Sequence, residues 1–204
     1  MERLMYGLSS DTQLENIHDK FSNHAQGYSF VQDPANGLST AYLDLSSRAC
    51  LDPMDGLMSS ERWKVDSVRR YLKEEANLLV QIMLMMYLRG GQAPRTTEFF
   101  SLECHNGPST SRGLYVHEGS LVFVTRHSKA RHATNQEFQV ARYLPRPDSE
   151  LLMKYLVFVR PFINMIYRVC YGNKEDRRLL FTSGDSPKQP WKVDVLTSAL
   201  KNLT

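Results

Sequence analysis

Cysteine is scarce in this chain, and its pattern excludes a disulfide framework. Cys50, Cys104 and Cys170 are odd in number, widely separated and without a Cys-x-x-Cys pair, which is typical of a reducing compartment. Met1–Ser10 lacks the basic start and the apolar core of a signal peptide. The longest apolar run, Leu78–Leu88, has 11 residues, whereas roughly 20 are needed to span a bilayer. We therefore expect an intracellular protein that makes no contact with a membrane.

The motifs of several enzyme classes are also missing. The chain has no Gly-x-x-x-x-Gly-Lys-Ser/Thr loop, which excludes an ATPase motor, and no Gly-x-Ser-x-Gly elbow, which leaves a hydrolase without a nucleophile motif. Cys104, His105 and His117 supply at most part of a zinc site, because the ligand spacing and a fourth ligand are missing. Polar loop residues are the favoured interpretation of that group. We expect no metal and no cofactor.

Positive charge is concentrated in the second part of the chain. Residues 1–90 contain 9 Lys and Arg against 12 Asp and Glu, whereas residues 91–204 contain 16 against 10. The formal net charge of +3 conceals this asymmetry. The second part is therefore the part that we expect to meet a polyanion.

A junction that reads Gly-Gly-Gln-Ala-Pro-Arg-Thr-Thr-Glu-Phe-Phe-Ser-Leu joins two predicted helices. Gly90 and Gly91 are expected to end the first helix, and Pro94 suits the first turn of the second. Arg95 then lies where a guanidinium can bind a phosphate beside the free N–H groups of a helix start. The alternative is a surface ion pair with Glu98, worth only about 0–1 kcal/mol, and the junction taken alone favours that pair.

Alternating hydrophobicity replaces the helical pattern from Gly113 to Pro145 and predicts a three-stranded antiparallel meander. Glu118-Gly119 is expected to form its first turn. The second connection contains the basic residues Arg126, Lys129 and Arg131. A positively charged hairpin of this kind suits phosphate contact, although the charges of an edge strand also serve simply to prevent unwanted strand pairing.

Elsewhere the pattern is mainly helical. We expect a helix from about Ser60 to Leu88 with a break near Lys73–Asn77, a helix capped by Asp148, and a last helix over Val193–Leu203. Pro161 should kink or end the helix that follows Asp148. The sequence predicts an α+β fold, mainly helical with a small three-stranded antiparallel sheet.

The first 60 residues differ from the rest in how their turn-forming residues are distributed. Gly, Pro, Asn, Asp and Ser are scattered through them, and only Asp11–Phe21 suggests a short helix. We therefore predict a loop-rich arm over residues 1–60 that packs only in part, followed by a domain over residues 61–204.

The order of these parts resembles the catalytic domain of tyrosine recombinases. In that family the motif Gly-x-Arg-x-x-Glu-x-x-x-Leu carries a phosphate-binding arginine, and the next hairpin carries a lysine that protonates the leaving 5′ oxygen. Arg95, Glu98 and Leu102 keep the Arg-x-x-Glu-x-x-x-Leu spacing, and Lys129 falls at the predicted hairpin tip. Gly91 lies four residues before Arg95, further than the family's pattern places it.

A closer resemblance covers the chain from about Gly27 to its end. It is carried by four short motifs in one order: Gly-Tyr-Ser-Phe-Val-Gln-Asp-Pro from Gly27, the Gly-Gly-Gln-x-Pro-Arg junction, Val-Phe-Val-Thr-Arg from Val122, and Arg-Tyr-Leu-Pro from Arg142. These motifs resemble the segment upstream of RecQ-type helicase domains in fungal telomere-linked helicases, which is similar to the recombinases of Crypton-type mobile elements. The resemblance implies a fungal, nuclear protein connected with DNA recombination and integration.

The resemblance also implies that catalysis is incomplete. Recombinases of this type need a second arginine, usually in His-x-x-Arg, and a tyrosine nucleophile, both beyond the helix that begins near Val193. No His-x-x-Arg occurs in the chain, so only Arg95 and Lys129 are catalytic residues by resemblance. Loss of one charge-stabilising group costs roughly 10²–10³ in rate, and loss of the nucleophile removes the covalent route.

We therefore expect an incomplete recombinase-like domain that binds the backbone of double-stranded DNA without cutting it. The expected DNA-binding residues are Arg95, Arg126, Lys129 and Arg131, and the expected structural residues are Glu98, Gly90 and Gly91. One alternative is a protein-interaction or scaffold fragment that packs against a helicase. Another is half of a recombinase that a second chain completes with its tyrosine.

Overall fold

The structure is a computed structural model that describes residues 1–10, 12–127, 138–175 and 177–203. Its helices and strands are, in chain order, α1 (Glu2–Met5), α2 (Tyr42–Leu51), β1 (Met58–Ser59), β2 (Arg62–Trp63), α3 (Val65–Arg89), α4 (Thr96–Phe100), β3 (Leu114–His117), β4 (Ser120–His127), β5 (Phe138–Tyr143), α5 (Arg146–Lys154), α6 (Arg160–Tyr171), β6 (Thr182–Ser183), β7 (Ser186–Pro190) and α7 (Val193–Lys201). The prediction of a mixed helical and sheet protein with a three-stranded antiparallel sheet is confirmed.

Helix α3 is the central element of the core and runs unbroken for 25 residues. The predicted start near Ser60 and the predicted break near Lys73–Asn77 are both wrong. Ser60 and Glu61 adopt positive φ angles of 48° and 62° and form the turn between β1 and β2. Buried apolar side chains recur along the whole of α3, so the packing of this face, more than helix propensity, stabilises its length.

Strands β3, β4 and β5 form the predicted meander, in that order. Glu118 and Gly119 have φ angles of 47° and 72° and form the tight turn between β3 and β4, as the Glu-Gly pair predicts. One face of the sheet, with Leu114, Leu121 and Phe123, is fully buried in the core. The other face alternates with it and carries the more exposed side chains.

The chain after the sheet corrects two expectations. Asp148 is not the cap of α5, because it lies inside the helix and its Oδ2 is 2.8 Å from Nε of Arg89 at the end of α3. Pro161 does not end the helix. A π-helical stretch over Tyr155–Val159 joins α5 to α6, so the irregularity that Pro161 predicts falls in the turn before it. The predicted last helix forms as α7.

The first 60 residues contain more secondary structure than their scattered turn-forming residues suggest. A 3-10 turn at Leu14–Asn16 stands where the short helix was predicted, with Asp11 outside the described residues, and α2 was not predicted at all. Phe30 and Leu45 belong to the same apolar core as the side chains of α3. These side chains are packed, while the loop-rich arm over residues 1–60 and its boundary at residue 60 stay a prediction.

Candidate nucleic-acid interface

The junction after α3 is held close to the sheet at Gly90. A Cβ atom on Gly90 would lie 2.6 Å from the carbonyl oxygen of Met86 and 2.6 Å from the ring of Phe123 on β4. Gly91, next in the chain, has a φ of +87°, a backbone conformation that residues with a side chain rarely adopt. The first glycine therefore permits close approach and the second permits the turn, which gives both predicted structural glycines a physical reason.

We expect Gly90→Ala to lower the free energy of unfolding by about 1–3 kcal/mol, because the added methyl group overfills the contact with Phe123. Chemical denaturation monitored by circular dichroism measures this change. Gly172→Asn is the matched control, since Gly172 has open space around it and asparagine tolerates its φ of +66°. Equal losses in both variants would show that close packing at Gly90 is not what the methyl group disturbs.

Arg95 directly precedes helix α4 and caps its start through the backbone, with φ −64° and ψ 136°. Pro94 lies outside this helix, so the prediction that it occupies the first turn is wrong. The Nη1 atom of Arg95 is 3.6 Å from Oε1 of Glu98, which is the ion pair that the spacing suggested. The pair leaves the Arg95 side chain 54% exposed, so the guanidinium remains accessible to a ligand.

Arg142 joins this junction to the sheet and was not predicted to do so. Its Nε donates to the carbonyl oxygen of Gln92 at 2.6 Å, and its Nη1 donates to Oγ1 of Thr125 at 2.7 Å. Burial lowers the pKa of Arg142, and the negative charge of Glu98 opposes that shift. The sequence signal for this role of Arg142 was a charged residue at a core-facing position of a strand with alternating hydrophobicity.

Arg126 lies on β4 and reaches the same region from the sheet. Its guanidinium donates to the carbonyl oxygens of Ser111, at 2.8 Å, and Arg112, at 3.1 Å. Arg126 and Glu98 line one cavity of about 230 Å³, so the structure brings Arg95, Glu98 and Arg126 into one region. Lys129 and Arg131 lie outside the described residues, and their place beside Arg95 stays a prediction.

Two carboxylates, Glu98 and Glu103, lie among the arginines of this region. Glu98 faces Arg95 and Arg142, whereas Glu103 accepts from Thr110 at 2.7 Å and is 3.2 Å from Nε of Arg178. Arg126 lines the same cavity as both carboxylates. This junction lies in the part of the chain where Lys and Arg outnumber Asp and Glu by 16 to 10, and a basic region of this kind attracts a polyanion.

Other site chemistry finds little support in the described part of the chain. No group of three or more His, Cys, Asp or Glu side chains is arranged there to hold a metal ion. None of the helices described is both long enough and apolar enough to cross a bilayer. No protein-family model and no solved structure matches the chain.

Proposed function

We propose that this protein binds the phosphate backbone of double-stranded DNA through the surface formed by Arg95 and Arg126. The observation that carries the proposal is the Arg95 side chain, which stays 54% exposed beside Glu98 in the basic part of the chain. Guanidinium groups bind phosphate oxygens in a fork geometry that suits this task. Contacts of this kind position a protein on DNA without reading its sequence.

The recombinase-like order of the motifs supports this proposal further. The sequence places Lys129 three residues after Arg126, where the resemblance expects the lysine that meets the leaving oxygen. The second arginine and the nucleophilic tyrosine of that family are not found in the chain, so the proposed activity is binding without strand cleavage. A nuclear location, and a helicase or a completing recombinase chain as partner, belong to the same proposal and rest on the resemblance alone.

The affinity of such binding should fall steeply with salt. We expect the logarithm of the binding constant for a labelled 20-base-pair duplex to fall linearly with the logarithm of the salt concentration. Arg95→Gln should weaken binding equally for unrelated duplex sequences and reduce the salt slope by about 1, because one phosphate contact is lost. Fluorescence anisotropy measures both quantities.

Arg69→Gln is the matched control for this experiment. Arg69 is 70% exposed and pairs with Asp66 three residues away, as Arg95 pairs with Glu98. It lies 20 residues before the end of α3, roughly 30 Å from the junction at 1.5 Å per residue. A salt slope that changes equally in both variants would indicate a diffuse charge effect, and no duplex binding by the folded protein at low salt would overturn the proposal.

A further inference from the structure

The open face of the three-stranded sheet carries a groove of which the backbone-binding proposal uses only Arg126. It encloses about 370 Å³ and lies over the face opposite the core. Its principal side chains come from all three strands and from the N-terminal segment: Phe21, Tyr115, His117, Arg126, Gln139 and Tyr143. Phe21 and Tyr143 are each about half exposed, which is unusual for large rings that meet in one place.

The rings in this groove do not stack on one another. Phe21 meets Tyr115 with 5.1 Å between ring centres and an interplanar angle of 62°, and His117 meets Tyr143 at 5.9 Å and 72°. The hydroxyl of Tyr143 lies 2.9 Å from Nδ1 of His117, at hydrogen-bond distance, and this contact orients the Tyr143 ring. Edge contacts of this kind hold the rings in place and do not cover one ring face with another.

The groove also has a distinct set of charged and ionisable lining residues. Arg126, His24 and His117 are among its lining residues, and the described residues that line it include no carboxylate. The ring of Tyr115 is partly covered, since the guanidinium of Arg112 lies 4.4 Å from its centre. Phe21 and Tyr143 are therefore the rings with the most accessible area in the groove, and Arg126 is a lining residue with them.

We infer that this groove binds a single-stranded nucleic acid, with bases stacked on Phe21 and Tyr143 and a phosphate at Arg126. Aromatic platforms beside positive charge are how proteins hold single strands without reading their sequence. The guanidinium of Arg126 supplies the positive charge that suits a phosphate. The inference extends the proposed function and shares Arg126 with it, but it does not depend on Arg95.

Tyr143→Leu and Phe21→Leu test the stacking, because leucine keeps an apolar side chain at the position and removes the ring. Each change should weaken binding of a labelled thymidine 20-mer by about fivefold or more and leave binding of a duplex unchanged. A uridine 20-mer in parallel distinguishes DNA from RNA as the preferred strand. Phe138→Leu is the matched control, since Phe138 is 65% exposed on the same sheet but does not line the groove.

A spectroscopic signal separates stacking from charge. A 2-aminopurine placed in the thymidine strand should change its emission on binding, and Tyr143→Leu should reduce that change whereas Phe138→Leu should not. If single strands bind equally well to all three leucine variants, the groove inference is overturned while the backbone proposal stands. If single strands bind through Tyr143 but duplex binding shows no dependence on Arg95, the backbone proposal falls and the groove inference stands. If neither single strands nor duplexes bind, the groove inference and the backbone proposal are both overturned.

Discussion

Arg112→Met is expected to lower the free energy of unfolding by about 3–5 kcal/mol, as measured by chemical denaturation. The Arg112 side chain is 1% exposed, and its Nη2 lies 2.5 Å from Oδ1 of Asp19, whose side chain is fully buried. Methionine keeps much of the volume but leaves the Asp19 carboxylate without its counter-charge. An uncompensated buried charge is among the few single changes that cost this much.

Arg112 makes further contacts that methionine cannot make. The guanidinium also donates to the carbonyl oxygen of Lys20 at 3.3 Å and lies 4.8 Å and 4.4 Å from the ring centres of Tyr28 and Tyr115. These contacts tie the N-terminal segment to strand β3, because the backbone N–H of Val116 donates to the same Asp19 carboxylate at 3.0 Å.

Two comparisons check the origin of this loss. Arg69→Met removes an exposed arginine from an ion pair of 3.7 Å and should cost no more than about 1 kcal/mol. The double variant Arg112→Met with Asp19→Asn removes both charges and should recover part of the stability. A double variant that is less stable than Arg112→Met alone would contradict the account.

The loss at Arg112 should also depend on pH. Burial raises the pKa of Asp19, whereas the Val116 N–H and the Arg112 charge act to lower it. Without Arg112 the pKa of Asp19 rises further above that of the unfolded chain. The protonated carboxyl then favours the folded state at low pH, and this contribution is lost as the pH rises through the folded pKa. The variant should therefore lose less stability at pH 5 than at pH 8.

Glu75→Gln should destabilise the fold by a similar amount, about 3–5 kcal/mol, because it removes the charge of a buried carboxylate on α3. Oε1 of Glu75 accepts from the hydroxyl of Tyr155 at 2.7 Å and lies 3.5 Å from Nη2 of Arg177. Burial, with the negative charge of Glu75, raises the pKa of Tyr155 far above its ordinary value, so its hydroxyl stays a donor. Glutamine can still accept that hydrogen bond but leaves a buried guanidinium without this counter-charge.

Glu74→Gln is the matched control, since Glu74 is the neighbouring residue on the same helix. It pairs with Arg3 at 3.5 Å, and the arginine side chain there is 80% exposed. Thermal and chemical unfolding should show a change of less than about 1 kcal/mol for Glu74→Gln. Comparable losses at both positions would mean that helix propensity, not the buried charge, sets the effect.

The candidate site could be predicted only in its local parts. The Gly-Gly junction and the spacing of Arg95 and Glu98 indicated a helix end and an ion pair, because each depends on residues close together in the chain. The contact between Gly90 and Phe123 was not predictable, nor was the anchoring of the junction by Arg142. Both depend on how closely the sheet approaches α3. The residues that are neighbours in the chain do not determine that distance.

Local order is what the amino-acid sequence by itself determined. Alternation over residues 113–145 and the Glu118-Gly119 pair were sufficient for the meander, since a strand's faces and a tight turn are set by adjacent residues. Only the tertiary structure decided the unbroken length of α3 and the pairing of Arg112 with Asp19 across 93 positions. A buried charge is stable only where a group of opposite charge lies next to it. When that group is distant in sequence, the tertiary structure determines which residue supplies it.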